Sequence, residues 1–255
     1  MIDVAWRDLM ALVGAIDRVD FACGALAAAI AGVIRGFAGF GAAMVKAPVF
    51  ALLYGPPVAV ALMSIMEVPA LPQVLRTALK ETTWRRVIPL AIPAMIAIPM
   101  GTWVLTHADP ELLRRAISAT VIILVAVMAS GRMPLIRKRT RNDGIAGFSA
   151  GFLGASTGIG GPPLILYFLG TGEGARRVRG DLFGFFFISS LTGLISFAAY
   201  GLITPLTVTI GLLLAPFYMG GMWLGGRIFP LASERIFRRV ALSLLAIIGA
   251  ATLLR

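Results

Sequence analysis

Ala31-Gly32-Val33-Ile34-Arg35-Gly36-Phe37-Ala38-Gly39-Phe40-Gly41 recurs 119 positions later as Ala150-Gly151-Phe152-Leu153-Gly154-Ala155-Ser156-Thr157-Gly158-Ile159-Gly160. Both copies read Ala-Gly, a six-residue spacer, then Gly-(Phe/Ile)-Gly, and both are embedded in apolar sequence. Paired glycine-rich interruptions at matching places in two halves of a membrane chain point to a carrier's binding site.

Working outward, hydrophobic residues make up 58% of the 255-residue chain and charged residues 14%, against about 25% charged in soluble domains. Near charge-free stretches such as 87–106, 116–130 and 240–254 approach or reach the ~20 helical residues that cross a bilayer core. The composition reads as a polytopic membrane protein with little mass left for a soluble domain. A single cysteine, Cys23, excludes an internal disulfide, and a single histidine, His107, excludes a histidine-rich metal site. No metal and no cofactor is expected. Cys23 reads as a small packing residue. The net charge of +11 lies in short loops, where basic residues set topology, so nucleic acid is not an expected partner. The start of the chain lacks the basic region of a cleavable signal peptide.

Five apolar segments occur in each half, at roughly 19–35, 38–54, 57–78, 87–106 and 113–130, then 144–155, 159–170, 181–201, 205–227 and 236–254. Further echoes are Gly101-Thr102-Trp103 with Gly221-Met222-Trp223, and Leu112-Leu113-Arg114-Arg115 with Ile236-Phe237-Arg238-Arg239. A helix of about 12 residues reaches only about 18 Å, so the first two segments of each half read as a hairpin of half-helices meeting at the glycine break. Non-helical backbone at that depth must be buried in protein or face a watery cavity. A hairpin returns to its starting side, so each half makes an odd net number of crossings and the halves are oppositely oriented. The basic residues agree. Arg76, Lys80, Arg85 and Arg86 fall on one side with Arg132, Arg137, Lys138, Arg139, Arg141, Arg176, Arg177, Arg179, Arg227, Arg235, Arg238 and Arg239. Only Arg7, Arg18, Arg114, Arg115 and Arg255 fall on the other. Sixteen against five makes the first side cytoplasmic. The expected fold class is all-α, with two inverted five-segment repeats each containing a hairpin of short half-helices. Residues 1–18 form an extracytoplasmic segment, 19–130 the first repeat, 131–143 a basic cytoplasmic linker and 144–255 the second repeat. Both termini are expected outside the cytoplasmic (inner) membrane.

The motifs Gly36-Phe37-Ala38-Gly39-Phe40-Gly41 and Gly151-Phe152-Leu153-Gly154…Gly158-Ile159-Gly160-Gly161-Pro162, set in two five-segment halves, resemble the TauE/SafE sulfite exporter family. The likeness runs from about Phe21 to Leu254; Ala42-Ala43 stands where the family often continues with glycines. The resemblance implies export or uptake of small sulfur-containing anions such as sulfite, thiosulfate or organosulfonates, with export the favoured direction.

An anion site can also be read from the residues themselves. The first N–H groups after each break have no intrahelical partner, and the helix dipole places about half a positive charge there. Gly39, Gly41, Gly158 and Gly160 leave room for a ligand, or else permit close helix packing. Ser156 and Thr157 can cap the second half-helix or donate hydroxyls to an oxyanion. Pro162 and Pro163 suit a first helical turn. Arg35 sits at the predicted hairpin tip, where it can hold an oxyanion bidentately or snorkel to the cytoplasmic face. Lys46 can reach a cavity or extend outward. Glu67, near mid-membrane, can pair with Arg35 or Lys46, or carry protons as a coupling group. Pro69 and Pro72 should kink or break its helix, and Gln73 is a weaker polar candidate. There is no phosphate-binding Gly-x-x-x-x-Gly-Lys loop, so a secondary transporter for a small anion is the leading reading. The rival is an intramembrane serine hydrolase, because Gly154-Ala155-Ser156-Thr157-Gly158 matches Gly-x-Ser-x-Gly. It requires His107 as the base. A non-transporting membrane scaffold leaves the repeated breaks and Arg35 unexplained.

Overall fold

The computed structural model describes residues 17–113, 115–116, 119, 140–171 and 174–229. Most of the last apolar segment of the first half, all of that of the second, the linker up to residue 139 and residues 1–16 lie outside the described residues. Among the described residues eight helices carry the fold, with no strand. They are α1 (Arg18–Ala38), α2 (Ala42–Tyr54), α3 (Pro56–Glu81), α4 (Trp84–His107), α5 (Thr140–Thr157), α6 (Gly161–Gly170), α7 (Ala175–Ala199) and α8 (Pro205–Ile228). Five of them, α1, α3, α4, α7 and α8, are long and apolar enough to cross a membrane.

The glycine breaks fall where the sequence places them. Gly39 (φ +79°) ends α1 in the left-handed region, its N–H donating to Arg35 O at 2.8 Å, and Gly158 (φ +77°) follows α5 in the same conformation. That conformation strains any residue with a Cβ. Chain direction reverses at each break. Tyr54 near the end of α2 returns its hydroxyl to Asp20 O near the start of α1, and Tyr167 of α6 returns its hydroxyl to Asp143 near the start of α5. The first helices are longer than the apolar runs suggest. α1 has 21 residues, about 32 Å, a length that suffices for a full crossing. α5 has 18 because it recruits the polar turn Arg141-Asn142-Asp143. The short members are α2, with 13 residues, and α6, with 10. Pro69 and Pro72 do not break α3, which is helical through both.

Helices pack in a pattern that exchanging the halves leaves unchanged. α1 lies on α8 as α5 lies on α4, α3 lies on α8 as α7 lies on α4, and α3 and α7 face each other. Their directions follow from which residues meet. Gly32 and Gly36 lie against Tyr218 and Met222, so α1 and α8 run the same way, and Gly147 and Gly151 against Leu90 and Ala94 make α4 and α5 parallel. Ile65 meets Gly211 and Glu67 meets Tyr218, aligning α3 with α8, while Arg86–Asp181 and Thr102–Ser196 contacts align α4 with α7. Glu81 meets Gly180 and Ser64 meets Gly193, so α3 and α7 are antiparallel. α1, α3 and α8 therefore run one way and α4, α5 and α7 the other.

Small residues allow these crossings, as in other membrane helices where packing rather than water drives association. A Cβ on Gly36 would sit 2.0 Å from Met222 O, and one on Gly225 would sit 2.1 Å from Val33 O. Opposite faces carry exposed apolar side chains such as Ile92, Ile96 and Trp103 on α4 and Phe217, Trp223 and Leu224 on α8. The repeated Gly-x-Trp thus turns its glycine inward and its tryptophan outward in both halves.

Because backbone cannot yield as a side-chain tip can, Gly36→Ala and Gly225→Ala should each cost about 1–3 kcal/mol. Gly220→Ala, where nothing lies within 4 Å, should be neutral or gain up to about 1 kcal/mol of helix propensity. Thermal unfolding in detergent reads the difference, and equal melting points for all three would refute the tight crossing.

Candidate functional site

The two breaks converge. A Cβ on Gly161 would lie 3.6 Å from Phe40 Cβ and 3.9 Å from Gly41 N. The N-termini of α2 and α6 therefore meet across a short gap, and α2 carries no side-chain cap. Beside them lies a cavity of about 130 Å³ lined by residues of α1 through α7. Arg35, Gly41, Lys46, Glu67, Gly158 and Gly160 all line it. Gly154, which occupies the position of Arg35 in the second half, lines it too.

Among the described residues that line the cavity, charge comes only from the first half. Arg35 is 5% exposed and Lys46 2%, so neither snorkels to the surface. Arg35 Nη2 lies 3.8 Å from Glu67 Oε2, and Lys46 Nζ 3.6 Å from Glu67 Oε1. The Tyr218 hydroxyl of α8 donates to Glu67 Oε1 at 2.5 Å. Arg35 Nη1 donates to Gly39 O at 3.3 Å, and its guanidinium lies over the Phe186 ring at 4.3 Å. Lys46 Nζ sits 3.9 Å over the Tyr218 ring. Both ion pairs are longer than a close hydrogen bond, whereas the phenol–carboxylate bond is short. Two cations face one carboxylate, which leaves one positive charge in excess beside two helix N-termini. Such an arrangement attracts a small anion and excludes a cation.

Gly39, Ser156, Thr157 and Gln73, all named from the sequence, do not line the cavity. Gly39 packs against Arg179 instead. Ser156 Oγ donates to Phe152 O at 2.8 Å and Thr157 Oγ1 to Leu153 O at 2.7 Å, one turn back along α5. A buried hydroxyl near a helix end finds that carbonyl at hand. Thr157 Oγ1 also accepts from Ile159 N–H at 3.3 Å, bracing the break. Gln73 lines a second cavity of about 300 Å³, where Arg179 donates to Glu81 Oε2 at 2.9 Å and to Gly36 O at 2.8 Å. Cys23 is exposed on α1. Conversely, Tyr218, Ser64, Ser189 and Phe186 were not legible as site residues. A lone phenol in apolar α8 and a Ser-Ser pair in apolar α7 were the available signals. Among the described residues no group of His, Cys, Asp and Glu can hold a metal.

The serine-hydrolase geometry is missing. Ser156 is committed to Phe152 O, while the exposed His107 contacts Thr106 Oγ1 and Trp103 O and stacks on the Trp103 ring.

The sulfite exporter TauE/SafE family model matches residues 24–252. The chain belongs to that family. No curated protein and no solved structure matches it. Membership makes the chain a multi-pass membrane transporter of a small anion, and not an enzyme.

Glu67 holds two buried cations, so Glu67→Gln should destabilise the protein by about 3–5 kcal/mol. Tyr218→Phe should cost about 1.5–3 kcal/mol by deleting a hydrogen bond to a charged group. Since Glu67→Gln already turns that charged bond into a weaker neutral one, the double variant should lose less than the sum. Strictly additive losses in thermal unfolding would show that the two groups act independently.

Proposed function

We propose that this protein is a secondary transporter that carries a small sulfur-containing anion, such as sulfite, thiosulfate or an organosulfonate, out across the cytoplasmic membrane. The observation that carries the proposal is the cavity at the paired breaks, where Arg35 and Lys46 face the single carboxylate of Glu67. The family description, a sulfite exporter, supports this substrate class and direction.

In this reading the anion enters between the breaks, meets the N–H groups after Gly41 and Gly160, and takes Arg35 from Glu67. Glu67 keeps Tyr218 and Lys46 and balances the site when the anion leaves. The halves act as inverted repeats that rock around the site. Opposed directions support this: α1, α3 and α8 oppose their second-half counterparts α5, α7 and α4. Basic ends cluster as the charge asymmetry requires. Glu81 and Arg86 lie against Arg179 and Asp181, and Arg179 lies against Phe229. That end faces the cytoplasm and both termini face outward.

Calorimetric titration of the purified protein with sulfite and methanesulfonate tests the site. Arg35→Gln should lose binding, while Glu67→Gln, although less stable, should retain it because the excess positive charge grows. An Arg35→Gln protein that is folded and binds both anions like wild type would refute the proposal.

Orientation is tested separately. A reporter that is active only outside the cytoplasm should work when fused after Arg255. Activity there of a reporter that works only in the cytoplasm would overturn the inverted arrangement.

A further inference from the structure

Two buried side-chain donors on this cavity have no hydrogen-bond partner: Arg35 Nε of α1 and Ser189 Oγ of α7. Buried polar groups are nearly always paired, so each such exception needs an explanation. Helical hydroxyls in this protein usually satisfy themselves on the carbonyl four residues back. Thr192, one turn beyond Ser189 on the same helix, donates to Ile188 O at 3.0 Å, as Ser156 does to Phe152 O and Thr102 to Ile98 O. Ser189 has Phe185 at that distance and makes no such bond.

The two donors flank one wall. Phe186 lies three residues before Ser189, on the same helical face, and carries the Arg35 guanidinium over its ring at 4.3 Å. The remaining nitrogens of Arg35 are engaged, Nη1 with Gly39 O and Nη2 beside Glu67, so the Nε edge is the open one. We propose that Ser189 Oγ and Arg35 Nε each donate to an oxygen of the transported anion, so that Ser189 selects oxyanions over halides. Donors on separate helices are met by oxygens that point apart from one central atom, as in sulfite or a sulfonate head. A halide ion offers one centre and needs no such pair. A hydroxyl adds this preference without changing the charge of the site.

The inference rests on the anion-transport reading above, and one titration separates the two. The full-length protein in detergent is titrated with sulfite, methanesulfonate and bromide, and the melting point of each ligand-free variant is recorded. Ser189→Ala should weaken sulfite and methanesulfonate binding about ten-fold or more, the loss of one hydrogen bond to a charged group. Bromide binding should not change. The melting point of the ligand-free protein should not fall, because the hydroxyl has no partner to lose, and Ser189→Thr should restore oxyanion binding. If Ser189→Ala binds both oxyanions like wild type while Arg35→Gln does not, the serine inference fails and the transport site stands. Failure of wild type to bind any of the three anions overturns both. A lower ligand-free melting point in Ser189→Ala without rescue by Ser189→Thr marks a structural serine and overturns the selectivity role.

Discussion

Two cations buried among apolar helices are tenable only because one carboxylate lies between them, and the interior is arranged around that requirement. Glu67 of α3 faces Arg35 of α1, Lys46 of α2 and Tyr218 of α8, so four helices from both halves are tied at one point. Burying an ion is repaid only by close pairing and further hydrogen bonds. Here the pairing is partial: the phenol is close, and the two cations stand 3.6 and 3.8 Å away. A site held this loosely can exchange an internal anion for an external one without first breaking a tight bidentate clamp.

Glycine has two different duties along the repeated motif, and some positions carry both. Gly32, Gly36 and Gly147 bring backbones together, as a Cβ on each would meet a carbonyl oxygen of the neighbouring helix. Gly41 and Gly158 line the cavity, and Gly151 and Gly160 do both, a Cβ on them lying 2.5 Å from Ala94 O and 2.4 Å from Ala150 O. Packing, one of the two alternatives that the sequence leaves open, is thus seen at one set of glycines, while an overlapping set borders open space. Tight crossings of α1 with α8 and of α4 with α5 hold the first helix of each hairpin rigidly, so that the breaks themselves are presented at a fixed place.

Most of the helix order was legible because long apolar runs bounded by Gly, Pro and charge have few other solutions. The buried charges were legible for a related reason: Arg35, Lys46 and Glu67 stand out against sequence that otherwise excludes charge. Neutral polar residues give no such warning. Ser156 and Thr157 looked like ligands from their place beside Gly158, yet a neighbouring carbonyl takes each hydroxyl. Tyr218 and Ser189 looked like ordinary members of apolar helices, and only packing brings Tyr218 to Glu67 and Ser189 to the cavity. Helix lengths were underestimated where polar turns join the helix, as at Arg141-Asn142-Asp143. Pro69 and Pro72 were overestimated as breakers, because α3 stays helical through both.

The two halves of the chain do not carry equal chemistry. Counterparts of Arg35 and Lys46 are Gly154 and Ile165, and both charges of the pair therefore sit on the first hairpin. The second half contributes the bare break at Gly158-Ile159-Gly160, the phenol of Tyr218 and the serine face of α7. Had both halves kept an arginine and a lysine, four cations would crowd one cavity against a single carboxylate, and mutual repulsion would open the packing. Had neither kept them, only helix dipoles would attract an anion, each worth about 0.3–1 kcal/mol at an exposed end. Placing the two cations on the first hairpin and neutral donors on α7 and α8 keeps the excess among the described residues at one positive charge. That is the charge a monoanion neutralises on binding, so its loading leaves the low-dielectric interior with no net charge.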